Sequence, residues 1–328
     1  MHDRGLNGDL RRMLLVVVVY FAAASVFVWF FRDNPAALLG SILQDLPHSF
    51  ALFMQIGWWV PLTLLPVMIL APWRKILYRI PAAMVMILLC TAFFLIFTMI
   101  KNSMTFAIPF WADPILAKID QGLHGGTDPI ILAHSFAMPV PTGLLEPIYS
   151  SSWLAPAMYL PALSALFDSS AARRRRFTIL YVLAWVVLGN ALALAFMSAG
   201  PIYYDRVLGA PRFDYIAQLL RLAGLEGTNL TGLQDWLWRA YQSRGHVAGA
   251  GISAFPSVHV AMATVLALYL FELDRRLWPL SLLFVALYQF LSVYLAWHYA
   301  IDGYFSILVI LPAWAFLRAR APNHQATG

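Results

Sequence analysis

The chain is patterned in long apolar runs separated by polar stretches. Eight of these runs are long enough, or nearly so, to cross a hydrocarbon core of roughly 30 Å. They fall at about 13–31, 50–71, 80–100, 150–168, 177–197, 257–273, 277–296 and 299–317. Pro61 and Pro66 in the second run, and Pro156 and Pro161 in the fourth, predict kinked helices. Within 101–149, Asp113-Pro114 leads into Ile115, Leu116, Ile119 and Leu123, with Lys118, Asp120 and Gln121 on the other face. That spacing predicts a short helix lying in the interface, ended by Gly125-Gly126. A second short helix is expected over 129–137. The stretch 198–256 holds Tyr203, Tyr204, Trp236, Trp238 and Tyr241, the aromatic content expected near lipid headgroups.

Composition agrees with this pattern. Of 328 residues 61% are hydrophobic and only 12% charged, with a mean hydropathy of +0.71. A soluble domain is about 25% charged, so the fold class is all-α, a polytopic helical membrane protein. The basic Met1–Arg12 segment and Ala22-Ala23-Ala24 are features of a signal peptide as well. The apolar run 13–31 is long for a signal peptide and right for a membrane span, and an uncleaved first helix is expected. The single cysteine, Cys90, excludes an internal disulfide or a cysteine-rich metal site.

The net charge of +6 gains meaning from its distribution. Fourteen of the 22 Lys and Arg residues lie in short segments: Arg4, Arg11, Arg12; Arg74, Lys75, Arg79; Arg173 to Arg176; Arg275, Arg276; Arg318, Arg320. The other eight are spread over 32–49, 101–149 and 198–256, and the two sets alternate in register with the eight runs. The positive-inside rule then places both termini in the cytoplasm and the three long connections outside. Arg173–Arg176 is read as part of this topology and not as a nucleic-acid patch. The short tails favour a bacterial inner membrane.

Trp297-His298-Tyr299-Ala300-Ile301-Asp302 stands where one apolar run gives way to the next, and Phe255-Pro256-Ser257-Val258-His259 stands at the start of another. Both histidines fall on the predicted outer face. Asp302, one helical turn after His298, can accept the Nδ1–H of its imidazole and leave Nε2 free to attack an electrophile. Helix N-termini at spans six and eight would offer unpaired N–H groups to an anion, and Ser257 a hydroxyl. A histidine at a membrane interface is usually only a polar interfacial residue; here it is the combination that points to chemistry. A metal site built from His259, His298 and Asp302 is the weaker alternative. His124 and His134 are read as local loop structure, and Asp113 and Asp120 as capping or solvating the interfacial helix, with an acceptor-binding role left open. Gly249, Gly251 and Pro256 are read as shaping the turn into span six.

Lys101 with Pro109, Pro256-Ser257-Val258-His259, and His298 with Asp302, in this order and on one face, resemble the motifs of the type 2 phosphatidic acid phosphatase superfamily. Asp113…Asp120…Leu123-His124-Gly125-Gly126 and Gly200-Pro201 with Tyr203-Tyr204 look like the branch of inositol phosphorylceramide synthases and their bacterial relatives. The resemblance covers roughly 80–317. It implies a six-helix catalytic core there, an N-terminal helix pair over 1–79 and a tail at 318–328. It further implies that His298 is the nucleophile forming a phosphohistidine, Asp302 its orienting partner, His259 the acid–base, and Lys101 a phosphate ligand. Two motif arginines are missing, replaced by Ile108 and Ser292. Arg206, Arg244 and His246 are the candidates to supply the lost charge, and Tyr203 and Tyr204 the candidates to touch substrate. The expected partners are a phospholipid, a lipid alcohol and the bilayer, without nucleic acid, metal or other cofactor. The expected activity is transfer of a phospho-headgroup between lipids. A lipid phosphate phosphatase is the alternative within the superfamily, and a transporter the more distant one.

Overall fold

The structure is a computed structural model that describes residues 4–56, 73–136, 141–244 and 250–320. These residues are helical throughout, without a strand among them. The order is α1 (Arg4–Phe31), α2 (Pro35–Ile56), α3 (Trp73–Ala107), α4 (Asp113–Leu123), α5 (Pro129–Phe136), α6 (Thr142–Glu146) and α7 (Ser152–Phe167). Then follows α8 (Ala171–Val182), prolonged by a π-helical stretch over Leu183–Leu192 and the turn Ala193–Ala195. Next come α9 (Pro201–Leu208), α10 (Ile216–Leu222), α11 (Asn229–Gln242), α12 (Val258–Leu273), α13 (Trp278–Tyr294) and α14 (Ala300–Ala319).

Gly5–Phe31, Ile76–Ala107, Ala171–Ala195, Arg275–Tyr294 and Ala300–Ala319 are each long and apolar enough to span a membrane. Pro156–Phe167 and Val258–Leu273 are shorter apolar helices in the places of the fourth and sixth runs. The chain is a polytopic helical membrane protein. The second expected run, with Pro61 and Pro66, lies outside the described residues beyond Ile56. The connection expected at 32–49 is helical from Pro35 onward, because Leu38 and Ile42 share one face and bury it against α3. The kink expected in the fourth run is present: Tyr159, between Pro156 and Pro161, leaves helical geometry at φ −116°, ψ 17°.

The long helix α3 runs through the bundle, packing on α1, α2 and α7, while α12 packs on α13, α14 and α7. Tyr181 and Trp185 carry the contact across, with Phe93 5.1 Å from Tyr181 and Phe97 4.8 Å from Trp185, ring centre to ring centre. The outward faces stay apolar, with Leu14, Leu15, Val18 and Trp29 on α1, Leu282 and Leu283 on α13, and Leu308 on α14 all exposed. That is the surface a bilayer solvates and water does not.

The arginine run is locked to the bundle. Arg173 forks onto Asp168 at 2.7 Å through both Nε and Nη2, Arg174 Nε reaches Asp9 at 2.7 Å, and Arg176 Nη2 reaches Glu272 at 2.5 Å. These pairs tie α8 to α1 and α12 at one end of the molecule. Bidentate arginine–carboxylate pairs are the strong kind.

Candidate active site

At the opposite end from the arginine cluster, four connections converge: α3 to α4, the Ala195–Pro201 turn, the entry to α12, and the α13-to-α14 turn. Short backbone bonds knit them. Trp111 and Ala112 donate to the Met197 carbonyl at 3.0 and 3.1 Å, and Ala254 donates to the Ser198 carbonyl at 2.9 Å. Phe255 N–H meets the Ser198 hydroxyl at 2.9 Å. Gly200, at φ +85°, lies so close to the turn before α14 that a Cβ there would stand 2.6 Å from the Trp297 carbonyl oxygen.

The last of these connections carries His298. After α13, Ala296 takes a left-handed φ of 60°, a strained conformation for a residue with a Cβ, and turns the chain back. His298 N–H then donates to the Ser292 carbonyl at 3.1 Å. The imidazole Nδ1 faces Asp302 Oδ2 at 3.2 Å, and the same oxygen accepts the Tyr299 N–H at 3.1 Å. His298 and Asp302 are both buried. Burial, followed by the nearby Lys101 ammonium, pushes the His298 imidazolium down to about 3, while a backbone hydrogen bond with Ala254 works the other way.

The start of α14 differs from the expected open anion site. Asp120 of α4 accepts the N–H groups of Ala300 at 3.0 Å and Ile301 at 2.9 Å. Asp113 accepts those of Ala199 at 2.7 Å and Gly200 at 2.9 Å, together with the Tyr299 hydroxyl at 2.9 Å. The positive end of α14 is thus already filled by the protein's own carboxylates. Burial raises the pKa of both Asp113 and Asp120, and these same N–H bonds oppose the rise.

It follows that Asp113 and Asp120, expected to cap or solvate α4, instead face inward alongside Leu116. Asp120 is 2% exposed and Asp113 fully buried, while Ile115 is 53% and Ile119 43% exposed. Next to a bilayer the isoleucines lose nothing by facing outward, and the carboxylates gain four backbone donors by facing in.

His259 sits in the first turn of α12, its ring 5.9 Å from that of His298. Tyr149 lies on one side, 4.9 Å away and nearly parallel at 8°, and Trp153 at 4.2 Å and 22°. Among the described residues, no acidic side chain is paired with it. Ser257 is the N-cap of α12, its hydroxyl accepting the Val260 N–H at 3.3 Å. It is fully buried and is not among the residues lining the cavity described next.

Both histidines border a cavity of about 390 Å³. Lys101 lines it too, as the sole lysine or arginine to do so among the described residues, and its Nζ stands 5.7 Å from the Phe97 ring centre. Gly251, at φ +128°, permits this: a Cβ there would meet Lys101 Cγ at 2.9 Å. The remaining wall is largely apolar, with Phe94, Leu154, Trp185, Leu230, Leu233 and Leu237.

Of the residues singled out from sequence, His298, Asp302, His259, Lys101 and Tyr203 come together here. Tyr203 lines the cavity while its hydroxyl donates to the Gln234 carbonyl at 2.8 Å. Tyr204 is buried edge-on against Phe213, away from the cavity. Arg206 instead faces Asp235 at 3.4 Å on the surface, and Arg244 is exposed. The structure brings neither to His298: α9 turns Arg206 outward, and Arg244 stands exposed in the turn after α11. His246 lies outside the described residues. His124 and His134 are not confined to their loop: His124 bonds the Asp120 carbonyl at 2.7 Å but also the Tyr304 hydroxyl at 3.0 Å, and His134 reaches the Tyr294 carbonyl at 2.9 Å, so both tie the loop to the bundle. Burial lowers the pKa of His134. Among the described residues, no three of His, Cys, Asp and Glu stand close enough to hold a metal ion.

Sequence reasoning missed Tyr149 and Trp153, which carry no short motif and reach His259 from the Pro147–Ser151 turn and from α7, where these pack beside α12. It also missed the positioning work of Asp113 and Asp120.

These features define a helical membrane protein with a buried histidine–aspartate pair, a second histidine and one lysine around an apolar cavity. The chain belongs to the PAP2 superfamily, whose family model matches residues 114–316. Members of that superfamily are phosphatases or phosphotransferases, which supports an enzyme of phosphatase type. The match takes in His259, His298 and Asp302 and begins after Lys101. No curated protein and no solved structure matches the chain.

Proposed function

We propose that the protein is a lipid phosphotransferase, resembling the inositol phosphorylceramide synthase branch, that moves a phospho-headgroup from a phospholipid to a lipid alcohol through a phosphohistidine on His298. The observation that carries this reading is the pair of histidines facing one cavity, only one of them backed by a carboxylate. His298 Nε2 attacks phosphorus, and the bond from phosphorus to the lipid oxygen breaks. His259 gives its proton to that oxygen, releasing diacylglycerol. His259 next takes the proton of the acceptor hydroxyl, the acceptor oxygen attacks phosphorus, and the P–N bond breaks to restore His298. Asp302 fixes the tautomer and balances the charge His298 gains. Lys101 neutralises the phosphoryl oxygens.

Two features favour a lipid alcohol over water as acceptor. The apolar wall suits an amphiphile and disfavours a stored water. A single lysine matches the one negative charge of a phosphodiester better than the two of a monoester. By the charge pattern along the chain, the site faces the extracytoplasmic side of the membrane.

The test is mass spectrometry of lipids after the purified protein meets a headgroup-labelled glycerophospholipid with ceramide, with diacylglycerol, or with neither. The expected products are diacylglycerol and a labelled new phospholipid that appears only with an added acceptor. Release of the labelled headgroup phosphate to water at the same rate without acceptor would make the enzyme a phosphatase.

A further inference from the structure

The cavity poses a charge problem. A phosphoryl group in flight spreads negative charge over its equatorial oxygens, and clustered donors stabilise it most. Lys101 alone covers little of that. The arginines proposed from sequence point elsewhere, and the backbone N–H groups of Ala300 and Ile301 are taken by Asp120.

Two donors remain. Among the described residues, Tyr149 Oη and Trp297 Nε1 are buried polar atoms without a hydrogen-bond partner. The other unpartnered buried atoms belong to Arg32, Ser103, Arg212, Gln289 and Asp302, none of which lines the cavity; Tyr149 and Trp297 both do. An unsatisfied buried donor costs about 1–3 kcal/mol, and native structures rarely leave one without a reason. Each also stands beside a reacting histidine. Trp297 immediately precedes His298, and the Tyr149 ring lies flat against that of His259. An indole N–H can only donate, so its partner must be an acceptor. A phosphoryl oxygen is the acceptor that the proposed reaction brings to this place.

We propose that the Tyr149 hydroxyl and the Trp297 indole N–H donate hydrogen bonds to the phosphoryl oxygens of the lipid substrate, as neutral replacements for the missing cations. The assignment rests on the phosphohistidine reading above. Neutral donors stabilise the spreading charge of the transition state without holding a singly charged product as tightly as further arginines would.

The experiment follows phosphorylation of His298 by an activated phosphodiester, using acid-quenched mass spectrometry, in wild type, Tyr149→Phe, Trp297→Phe and the double variant. Thermal unfolding is measured in the same detergent. Each single variant should label about tenfold to a hundredfold more slowly, and the double variant more slowly still. Tyr149→Phe should keep the wild-type melting temperature or exceed it, because the hydroxyl it loses has no partner to leave behind. Labelling of both single variants at the wild-type rate would overturn the assignment, and so would a Tyr149→Phe protein that loses rate and melting temperature together. A wild type that turns over without labelling His298 would refute the underlying reading as well.

Discussion

At the scale of single residues the two histidines are unlike, and their environments say how. His298 has a carboxylate at its Nδ1, whereas the residue one turn after His259 is Ala263. His298→Ala should abolish turnover and labelling. Asp302→Asn should cost roughly two to four powers of ten in rate, the scale known for an orienting aspartate. His259→Ala should stop transfer from natural donors yet still label His298 when the leaving group needs no proton. Acid-quenched mass spectrometry reads all three, and phosphate trapped on residue 259 would reverse the roles. A further expectation concerns pH. A base whose imidazolium pKa is lowered to about 3 is protonated only in strong acid. Labelling by an activated ester should therefore stay level from about pH 7.5 to about pH 5, where a histidine of ordinary pKa near 6.5 would lose most of its free base. A rate that halves near pH 6.5 would place His298 in a more solvated setting than its burial implies.

At the scale of elements, α4 is the cradle of the site. Its Asp113 and Asp120 share one face and hold the Gly200 turn and the first turn of α14 in place. Asp120→Asn keeps the shape but turns an NH2 toward one of two N–H groups that now share a carboxylate. The expected cost is about 1–3 kcal/mol of stability. Labelling should fall more than lipid binding does, because His298 would be misplaced and the cavity would not. Thermal unfolding and kinetics separate these effects; an unchanged melting temperature would remove α4 from the positioning of α14. Gly200→Ala tests the same contact from the other side. It places a methyl 2.6 Å from the Trp297 carbonyl oxygen and should cost both folding yield and labelling.

At the scale of the molecule, the arginine cluster and the histidine cavity occupy opposite ends of one bundle. Arg175 and Gly232 are exposed at these two ends, and the native Cys90 is fully buried. Single cysteines at 175 and 232 should therefore be labelled by an impermeant maleimide from opposite sides of intact cells or vesicles, with 232 on the outer side. Labelling of both from outside would end this topology.

How much of this was legible beforehand depended on the range of the interaction. The apolar runs, the kink between Pro156 and Pro161, and the pairing of His298 with Asp302 follow from residues within one helical segment of each other, and these are the features the sequence displayed by itself. That His259 and His298 would share one end of the bundle was legible too, because each stands at the same end of alternating apolar runs. The inward face of α4 was not. The pattern marks Ile115 and Ile119 as the apolar face of an interfacial helix, but that Asp113 and Asp120 turn inward is decided by backbone donors from distant segments. Nor could the sequence show which cations line the cavity, or that Tyr149 and Trp297 hold unpaired donors there. Those facts depend on contacts between segments more than a hundred residues apart, and only the packing of α3, α7, α12 and α14 around one cavity sets them.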